Sequence, residues 1–458
     1  MQDLTKGKEI KVILAFATPI LIGNVFQQLY NVADTAIVGQ FLGKEALSAI
    51  AAVFPLYFFI ISFISGFSAA STILISQRTG AKRFGEIKPV SDTTMLTMFV
   101  SGLLIALFVP RYTGDIFRLM NVPPEVIGYA VDYFNVLLYG IFAIFGFNGI
   151  RSILQGLGDS KTPVYLLIAS NFINITLDVV FILYMGMGIK GAAWATVIAY
   201  FVIVVVGLYI LNRRLVKMGI HDGSVKFGFG YFKEIMRLGF PNSMQMSFVS
   251  VLFLVTYLIV NMFGTDVIAA YSAVGRINSL AITPPMILAM AMTTFTGQNY
   301  GAGQFDRIKR GLKQTWRFMA ALSIALSGLI WIFSESLMKI FIRDAEVIRI
   351  GVDYLHVVSP FYIFFATMLL LTGMFKGIGD TVTPMIISFV STWLIRIPVA
   401  LFASCNVSLH PFAVEPVSYH GIWFGEPAGW LTSMIMALAV FLFSKKWRNL
   451  FARERVLQ

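Results

Sequence analysis

The sequence has few charged residues, one cysteine and four histidines. Asp, Glu, Lys and Arg make up 13% of its 458 residues and hydrophobic residues 57%, whereas a soluble globular chain has about 25% charged residues. The single cysteine, Cys405, excludes an intramolecular disulfide and a cysteine-based metal cluster. ATP-binding motifs and nucleophile–base constellations are also missing, so we expect neither a nucleotide-driven pump nor an enzyme, and no cofactor.

Long hydrophobic runs take the place of the missing charges. A membrane-spanning helix needs about 20 mostly apolar residues, and twelve segments reach this length. They are residues 12–39, 46–76, 92–110, 126–150, 163–185, 191–211, 238–262, 267–297, 316–335, 350–374, 384–405 and 426–444. The sequence therefore predicts an all-α integral membrane protein with twelve transmembrane helices. The first run lacks a signal-peptide cleavage site, and we expect it to be a spanning helix.

The basic residues concentrate in alternate loops. The chain has 35 Lys and Arg and a net charge of +12, and most of these residues fall in cytoplasmic segments if the N-terminus is cytoplasmic. This bias predicts an inner (plasma) membrane protein with both termini in the cytoplasm. The positive charge is then explained by topology and by contact with anionic membrane lipid, and nucleic acid is not an expected partner. We expect a monomer.

An internal repeat divides the chain into two halves. Residues 77–88 read QRTGAKRFGEIK and residues 298–309 read QNYGAGQFDRIK, at an offset of 221. The same offset relates the GLGD at 156–159 to the GIGD at 377–380. Each half has six helices, an even number, which predicts two six-helix bundles related by a pseudo-two-fold axis along the membrane normal.

The repeat and the loop charges predict the domain boundaries. The first half is residues 1–212, with helices 1–6, and the second half is 238–445, with helices 7–12. A basic linker, 213–237, joins them, and residues 446–458 form a basic cytoplasmic tail. The GLGD and GIGD segments lack the ending of a phosphate-binding loop, so we interpret them as tight turns between helices.

Ionisable residues inside spanning helices are costly and are default functional candidates. Asp34 lies in the first helix, and Gln27, Tyr30 and Asn31 precede it on the same face. At 1.5 Å per residue, Asp34 lies about 8 Å below the outer end of its helix.

A second acidic residue lies in the fifth helix at a similar depth. Asp178 is about 12 Å below the outer end of its helix, and Asn171 and Asn174 precede it on the same face. Thr196 on the sixth helix and Tyr133 on the fourth come to the same level. Two carboxylates in a poorly hydrated pocket repel each other and raise the affinity for a proton or a sodium ion. The alternative is a buried hydrogen-bond network that only fixes helix packing.

Other residues in the spanning segments are weaker candidates. Pro19 removes a backbone hydrogen bond in the middle of the first helix, which indicates either a bend that switches or a fixed kink. Arg276 and Arg396 lie within helices eight and eleven, where they can snorkel, pair with carbonyls or line a cavity.

Methionines crowd helices seven and eight, among them Met244, Met246 and Met286. Such side chains repack around varied apolar ligands and are also ordinary filler. We include them as candidates for a substrate cavity, together with Gln27, Asn31, Asn171 and the two arginines.

Four segments give the chain a family resemblance over nearly its whole length. They are TPILIGNVFQQLYNVADTAIVGQFLG, QRTGAKRFGE, RSILQGLGDSKTP and NFINITLDVVF. The chain resembles the multidrug and toxic compound extrusion (MATE) family, in its DinF-like branch. The resemblance implies two bundles, an N-lobe and a C-lobe, around a cavity that opens alternately to either side.

The resemblance also assigns roles to residues of the first half. The coupling carboxylates of the DinF-like branch fall on Asp34 and Asp178, with Asn174 and Thr196 as cation partners. These four would form the site if the ion is Na+. Tyr30, Tyr133 and Pro19 match positions of the same network and bend. The NorM-like branch has acidic residues in helices seven and ten, and this sequence has none there.

The combined expectation is a secondary antiporter that exports amphipathic organic compounds in exchange for H+, or alternatively Na+. The alternative is a lipid-linked oligosaccharide or polysaccharide flippase of the same exporter superfamily, since the arginines in the membrane could bind a pyrophosphate. A channel is less favoured, because the halves are unequal and no selectivity-filter sequence repeats.

Overall fold

The computed structural model describes residues 2–220, 224–407 and 414–444. The first helices are α1 Glu9–Gly80, α2 Phe84–Phe108, α3 Thr113–Leu119, α4 Pro124–Tyr139, α5 Ile141–Gly156, α6 Lys161–Asp178, α7 Gly188–Lys217 and α8 Phe229–Asn261. They are followed by α9 Thr265–Gly301, α10 Phe305–Ile332, α11 Ser334–Phe341, α12 Ala345–Val358, α13 Tyr362–Ile378, α14 Val382–Phe389, α15 Ile397–Ser404 and α16 His420–Phe443. The predicted tail, 446–458, lies outside the described residues.

The helices account for twelve membrane spans within the described residues. Ten helical stretches are long and apolar enough to cross a bilayer, and two of them, Ala345–Ile378 and Val382–Ser404, each combine two of these helices. An eleventh span is formed by α4 and α5 together, which are bent by 49° at their junction. The 72-residue α1 would extend about 108 Å at 1.5 Å per residue, several times the thickness of a bilayer core. It breaks at Gly43, where the backbone leaves the helical region, and therefore supplies two spans. The predicted all-α class with twelve spanning helices is confirmed.

The break at Gly43 recurs in the second half. Gly43 has φ 82° and ψ −172°, and Gly264, 221 residues later, has φ 88° and ψ −178°. These are angles that glycine adopts without the steric cost of a side chain. The same residue type thus makes the same turn between helices in both repeats.

The GLGD and GIGD turns also have the same structure. Asp159 accepts hydrogen bonds from the backbone N–H and the hydroxyl of Thr162, at 3.0 and 2.7 Å. Asp380 accepts the corresponding pair from Thr383, at 3.1 and 3.0 Å. In each turn the carboxylate binds donors at the start of the next helix, as an N-capping side chain does. The interpretation of these segments as helix–helix turns agrees with this geometry.

The chain folds into two compact units. The first unit contains Ala15–Ser243, and the second contains Leu4–Leu14 together with the chain from Met244 onward. The predicted first lobe ends at residue 212 and the predicted second lobe begins at residue 238. The compact units divide between Ser243 and Met244, inside α8 and a few residues after the predicted start of the second lobe. Leu4–Leu14 groups with the second unit because Glu9 pairs with Arg310 at 2.9 Å and Gln298 accepts a hydrogen bond from the backbone N–H of Leu4.

A short β-hairpin interrupts the helical architecture near the end of the chain. Strands β1 Cys405–Val407 and β2 Val414–Pro416 pair antiparallel, with Cys405 opposite Pro416. The sequence predicted only a loop between helices eleven and twelve at this position.

Candidate functional site

The two acidic residues predicted to act together do meet in the first unit. Asp34 lies in α1 and is half-buried, and Asp178 is the last residue of α6 and is completely buried. Their side chains are in hydrogen-bonding contact. Two carboxyl groups form such a contact only when a proton is shared between them, because a carboxylate is an acceptor and cannot donate.

Asn174, one helical turn before Asp178, connects the carboxyl pair to two neighbouring helices. With its amide nitrogen facing the acids, Asn174 donates hydrogen bonds to the Tyr30 hydroxyl at 2.7 Å and to Oδ2 of Asp178 at 2.8 Å. Its oxygen then accepts from the hydroxyl and the backbone N–H of Thr196, at 3.1 and 2.9 Å. This amide orientation is assigned from the hydrogen-bond network, since the opposite one would place the oxygen against acceptors only.

Two tyrosines complete the cluster. Tyr30 interacts electrostatically with Asp34, Asp178 and Tyr133, and Tyr133 of α4 interacts with both carboxyl groups. Helices α1, α4, α6 and α7 therefore each contribute a polar side chain to one place in the first unit. We call Tyr30, Asp34, Tyr133, Asn174, Asp178 and Thr196 the acidic cluster.

The acidic cluster has no basic side chain of its own. Within the described parts of the chain, no lysine, arginine or histidine forms an ion pair with Asp34 or Asp178. Oδ1 of Asp178 is buried and finds no hydrogen-bond donor there. A buried carboxyl pair without a counter-charge is stable only when it takes up a cation, and the smallest cation is a proton.

A second string of polar side chains lies beside the cluster on α1 and α6. Asn171 donates a hydrogen bond to Gln27 at 3.3 Å, and Gln27 donates to Asn31 at 3.2 Å. Asn171 is buried, whereas Asn31 is exposed. The structure thus joins the three residues that the sequence indicated as polar cavity candidates of the first unit.

The backbone next to the cluster is irregular. Residues Val179–Tyr184, directly after Asp178, form a π-helix, and such segments are rare and frequently found at functional sites. Pro19 lies inside the helical part of α1, before Gly43. Whether α1 bends at Pro19 stays a prediction.

The second unit contains a buried ion pair, of which the sequence analysis identified the arginine and missed the acid. Nη2 of Arg396 lies 2.5 Å from Oε1 of Glu426, and 13% and 11% of the two side chains are exposed. The sequence predicted that Arg396 snorkels, pairs with carbonyls or lines a cavity, and an ion pair with a side chain was not among these arrangements. Sequence reasoning missed Glu426, which lies near the start of the twelfth predicted helix. Its signal was an acidic residue at the first position of the predicted span, with apolar residues on both sides of it.

The remaining candidates of the second unit are dispersed. Arg276 is exposed, and its guanidinium lies 6.0 Å from the ring centroid of Phe341. Met244 and Met246 are partly buried, whereas the side chain of Met286 is exposed. The role of these four residues in binding substrate stays a prediction.

The comparisons with known proteins agree on one family. The MatE family model matches residues 19–180 and again residues 241–402, once in each half of the chain. The chain is 31% identical over 457 residues to the probable multidrug resistance protein YoeA of Bacillus subtilis. The alignment covers 98% of this chain and 97% of that protein.

Two further proteins show the same likeness. The probable multidrug resistance protein NorM of Thermotoga maritima is 27% identical, with 97% of this chain and 95% of that protein covered. A crystal structure of a MATE protein in the straight conformation superposes with a TM-score of 0.86 at 24% identity, covering 99% and 98% of the two chains. These comparisons point to multidrug efflux and do not favour a flippase.

Proposed function

The chain belongs to the MATE family of multi-pass multidrug efflux transporters, and from this premise we propose that it is an antiporter driven by cation uptake at the acidic cluster. The exchanged cation is H+, with Na+ as the alternative. The exported compounds are amphipathic organic molecules, and the membrane is the plasma membrane with both chain ends in the cytoplasm.

The proposal is carried by the hydrogen bond between Asp34 and Asp178, with which no basic side chain of the described residues forms an ion pair. Antiport requires that the ion and the exported compound favour opposite states of the protein. A carboxyl pair meets this requirement, because its charge changes when the cation leaves and the neighbouring helices must respond. Deprotonation would leave two negative charges in contact and push α1 and α6 apart.

The geometry favours H+ over Na+. The side chains of Asp34 and Asp178 are hydrogen-bonded to each other, which fits a proton shared between them. The amide of Asn174 also presents its nitrogen to Asp178, and a nitrogen that carries hydrogens cannot bind a cation. Sodium coupling would require this amide to turn so that its oxygen faces the acids.

Efflux from energised inverted membrane vesicles tests the proposal. The parent chain is compared with Asp34→Asn and Asp178→Asn, with a pH gradient and a Na+ gradient imposed separately. We expect drug and dye movement in the parent to follow the pH gradient and to fall at least tenfold in each variant, because an amide cannot exchange a proton. Asp115→Asn, on an exposed residue of α3, is the matched control and should transport normally. Gradient-driven efflux that survives in both variants would contradict the proposal.

A further inference from the structure

The second unit has its own polar network around the ion pair of Arg396 and Glu426. Tyr354 of α12 is in side-chain contact with Glu426, and Tyr271 of α9 and Tyr362 of α13 interact with it electrostatically. Asn278 of α9 connects α12 and α13, because it donates a hydrogen bond to Tyr354 at 3.2 Å and accepts one from Tyr362. The network therefore combines an acid, tyrosines and an asparagine, as the acidic cluster does.

The two networks correspond in the internal repeat. Tyr133 interacts with both acids of the first unit, and Tyr354, 221 residues later, contacts the acid of the second. The helices that contain Asp178 and Arg396 also correspond, and each has a π-helical segment beside the charged residue, Val179–Tyr184 in one and Val390–Arg396 in the other.

The networks differ in what balances the negative charge. In the first unit no basic side chain of the described residues pairs with the acids, whereas in the second unit the guanidinium of Arg396 lies on Glu426. An arginine is not deprotonated in proteins, so this cation is always present.

Two glycines of α16 pack directly against Arg396. A Cβ atom on Gly429 would lie 3.0 Å from Cβ and 3.3 Å from Cδ of Arg396, and one on Gly425 would lie 3.0 Å from the Arg396 carbonyl oxygen. Because these two glycines, one turn apart, have no side chains, the aliphatic part of the Arg396 side chain fits against α16 and its guanidinium reaches Glu426. Small residues at such spacing allow close helix contact in membranes.

We propose that Arg396 is a tethered counter-cation, which permanently occupies the place that an exchangeable cation takes in the acidic cluster. The inference rests on the proposed antiport. In this arrangement Glu426 stays ionised through the transport cycle and exchanges no proton. Arg396 thereby confines ion exchange to the first unit and limits the number of ions moved in each cycle.

The proposal has a direct physical consequence. If the guanidinium is removed, Glu426 is left as an uncompensated charge in a poorly hydrated site, where Tyr271, Tyr354 and Tyr362 are neutral neighbours. Such a carboxylate takes up a proton, because burial disfavours the charged form. Removal of Arg396 should therefore convert Glu426 into a proton-binding group.

Infrared difference spectroscopy of the purified full-length protein across a pH series tests this. The starting protein is Asp34→Asn/Asp178→Asn, which lacks the acids of the first unit. Adding Arg396→Met should produce a new carbonyl band of a protonated carboxylic acid, and further addition of Glu426→Gln should remove it. Arg396→Lys keeps a cation and should produce no new band. If the Met variant does not yield folded protein, Arg396→Gln, which retains hydrogen-bonding groups, replaces it.

The outcomes separate this inference from the proposed function. A Glu426 acid band already present with Arg396 intact, or no new band in either the Met or the Gln variant, would overturn the tethered cation. Because the starting protein lacks Asp34 and Asp178, neither result depends on coupling in the first unit. Unimpaired efflux in the single Asp→Asn variants would overturn the antiport proposal and leave the infrared result standing.

Discussion

Tyr133 and Tyr354, 221 residues apart, both interact with acidic side chains in the interior of their unit. Tyr133 interacts with Asp34 and Asp178, and Tyr354 contacts Glu426. The acids themselves are not at corresponding positions of the repeat, since Asp178 corresponds to Val399. The two halves thus retain a similar polar centre and place their acidic residues on helices that do not correspond in the repeat.

Asn174 should contribute to cation binding through its hydrogen bonds. Asn174→Ala removes donors to Tyr30 and Asp178, and leaving buried groups unpaired costs about 1–3 kcal/mol, which corresponds to about 5- to 160-fold in affinity. We therefore expect the pH for half-maximal transport to shift. Thr176→Ala, on an exposed residue of the same helix whose hydroxyl donates to the Phe172 carbonyl, is the matched control and should leave the pH profile unchanged. Identical profiles for both variants and the parent would show that Asn174 has no part in coupling.

Lys82 should be a position of backbone strain. It has φ 56°, and the corresponding residue of the second repeat is Gly303, with φ 71°. A left-handed conformation costs about 1–2 kcal/mol for a residue with a Cβ. Lys82→Gly should therefore raise the unfolding temperature of the detergent-purified protein, and Gly303→Ala should lower it. The prediction is wrong if both substitutions shift the temperature in the same direction.

Gly421 should be essential for the packing of α16. A Cβ at this position would overlap the backbone of Ala403 and Ser404 at the end of α15. Gly421→Ala should therefore destabilise the protein by about 1–3 kcal/mol through overpacking. Gly328→Ala in α10, where no atom lies within 4 Å of the added Cβ, should be neutral or stabilising, since alanine favours helix. Thermal unfolding of both variants compares the two effects.

Much of this structure could be predicted from residue patterns. The spans follow from apolar length, because a backbone in lipid must satisfy its hydrogen bonds within a helix. The corresponding turns at Asp159 and Asp380 follow from the repeat, and the joining of Asp34 and Asp178 follows from the cost of isolated charges in a membrane.

Other features depended on contacts that no local pattern specifies. Glu426 looked like the boundary of a span, and only its distance from Arg396 shows an internal ion pair. The grouping of Leu4–Leu14 with the second unit arises from hydrogen bonds to residues some 300 positions away. The amide orientation of Asn174 depends on Tyr30 and Thr196 of two other helices and likewise cannot be predicted from sequence.

The most direct test of the central claim is to count protons when a substrate binds. Purified protein in weakly buffered detergent solution is mixed with a transported dye, and the pH change is followed with an indicator. The account predicts proton release from the parent chain and from Asp115→Asn, and none from Asp34→Asn/Asp178→Asn, although that variant still binds dye. Equal proton release from the double variant and the parent would contradict the assignment of ion exchange to Asp34 and Asp178.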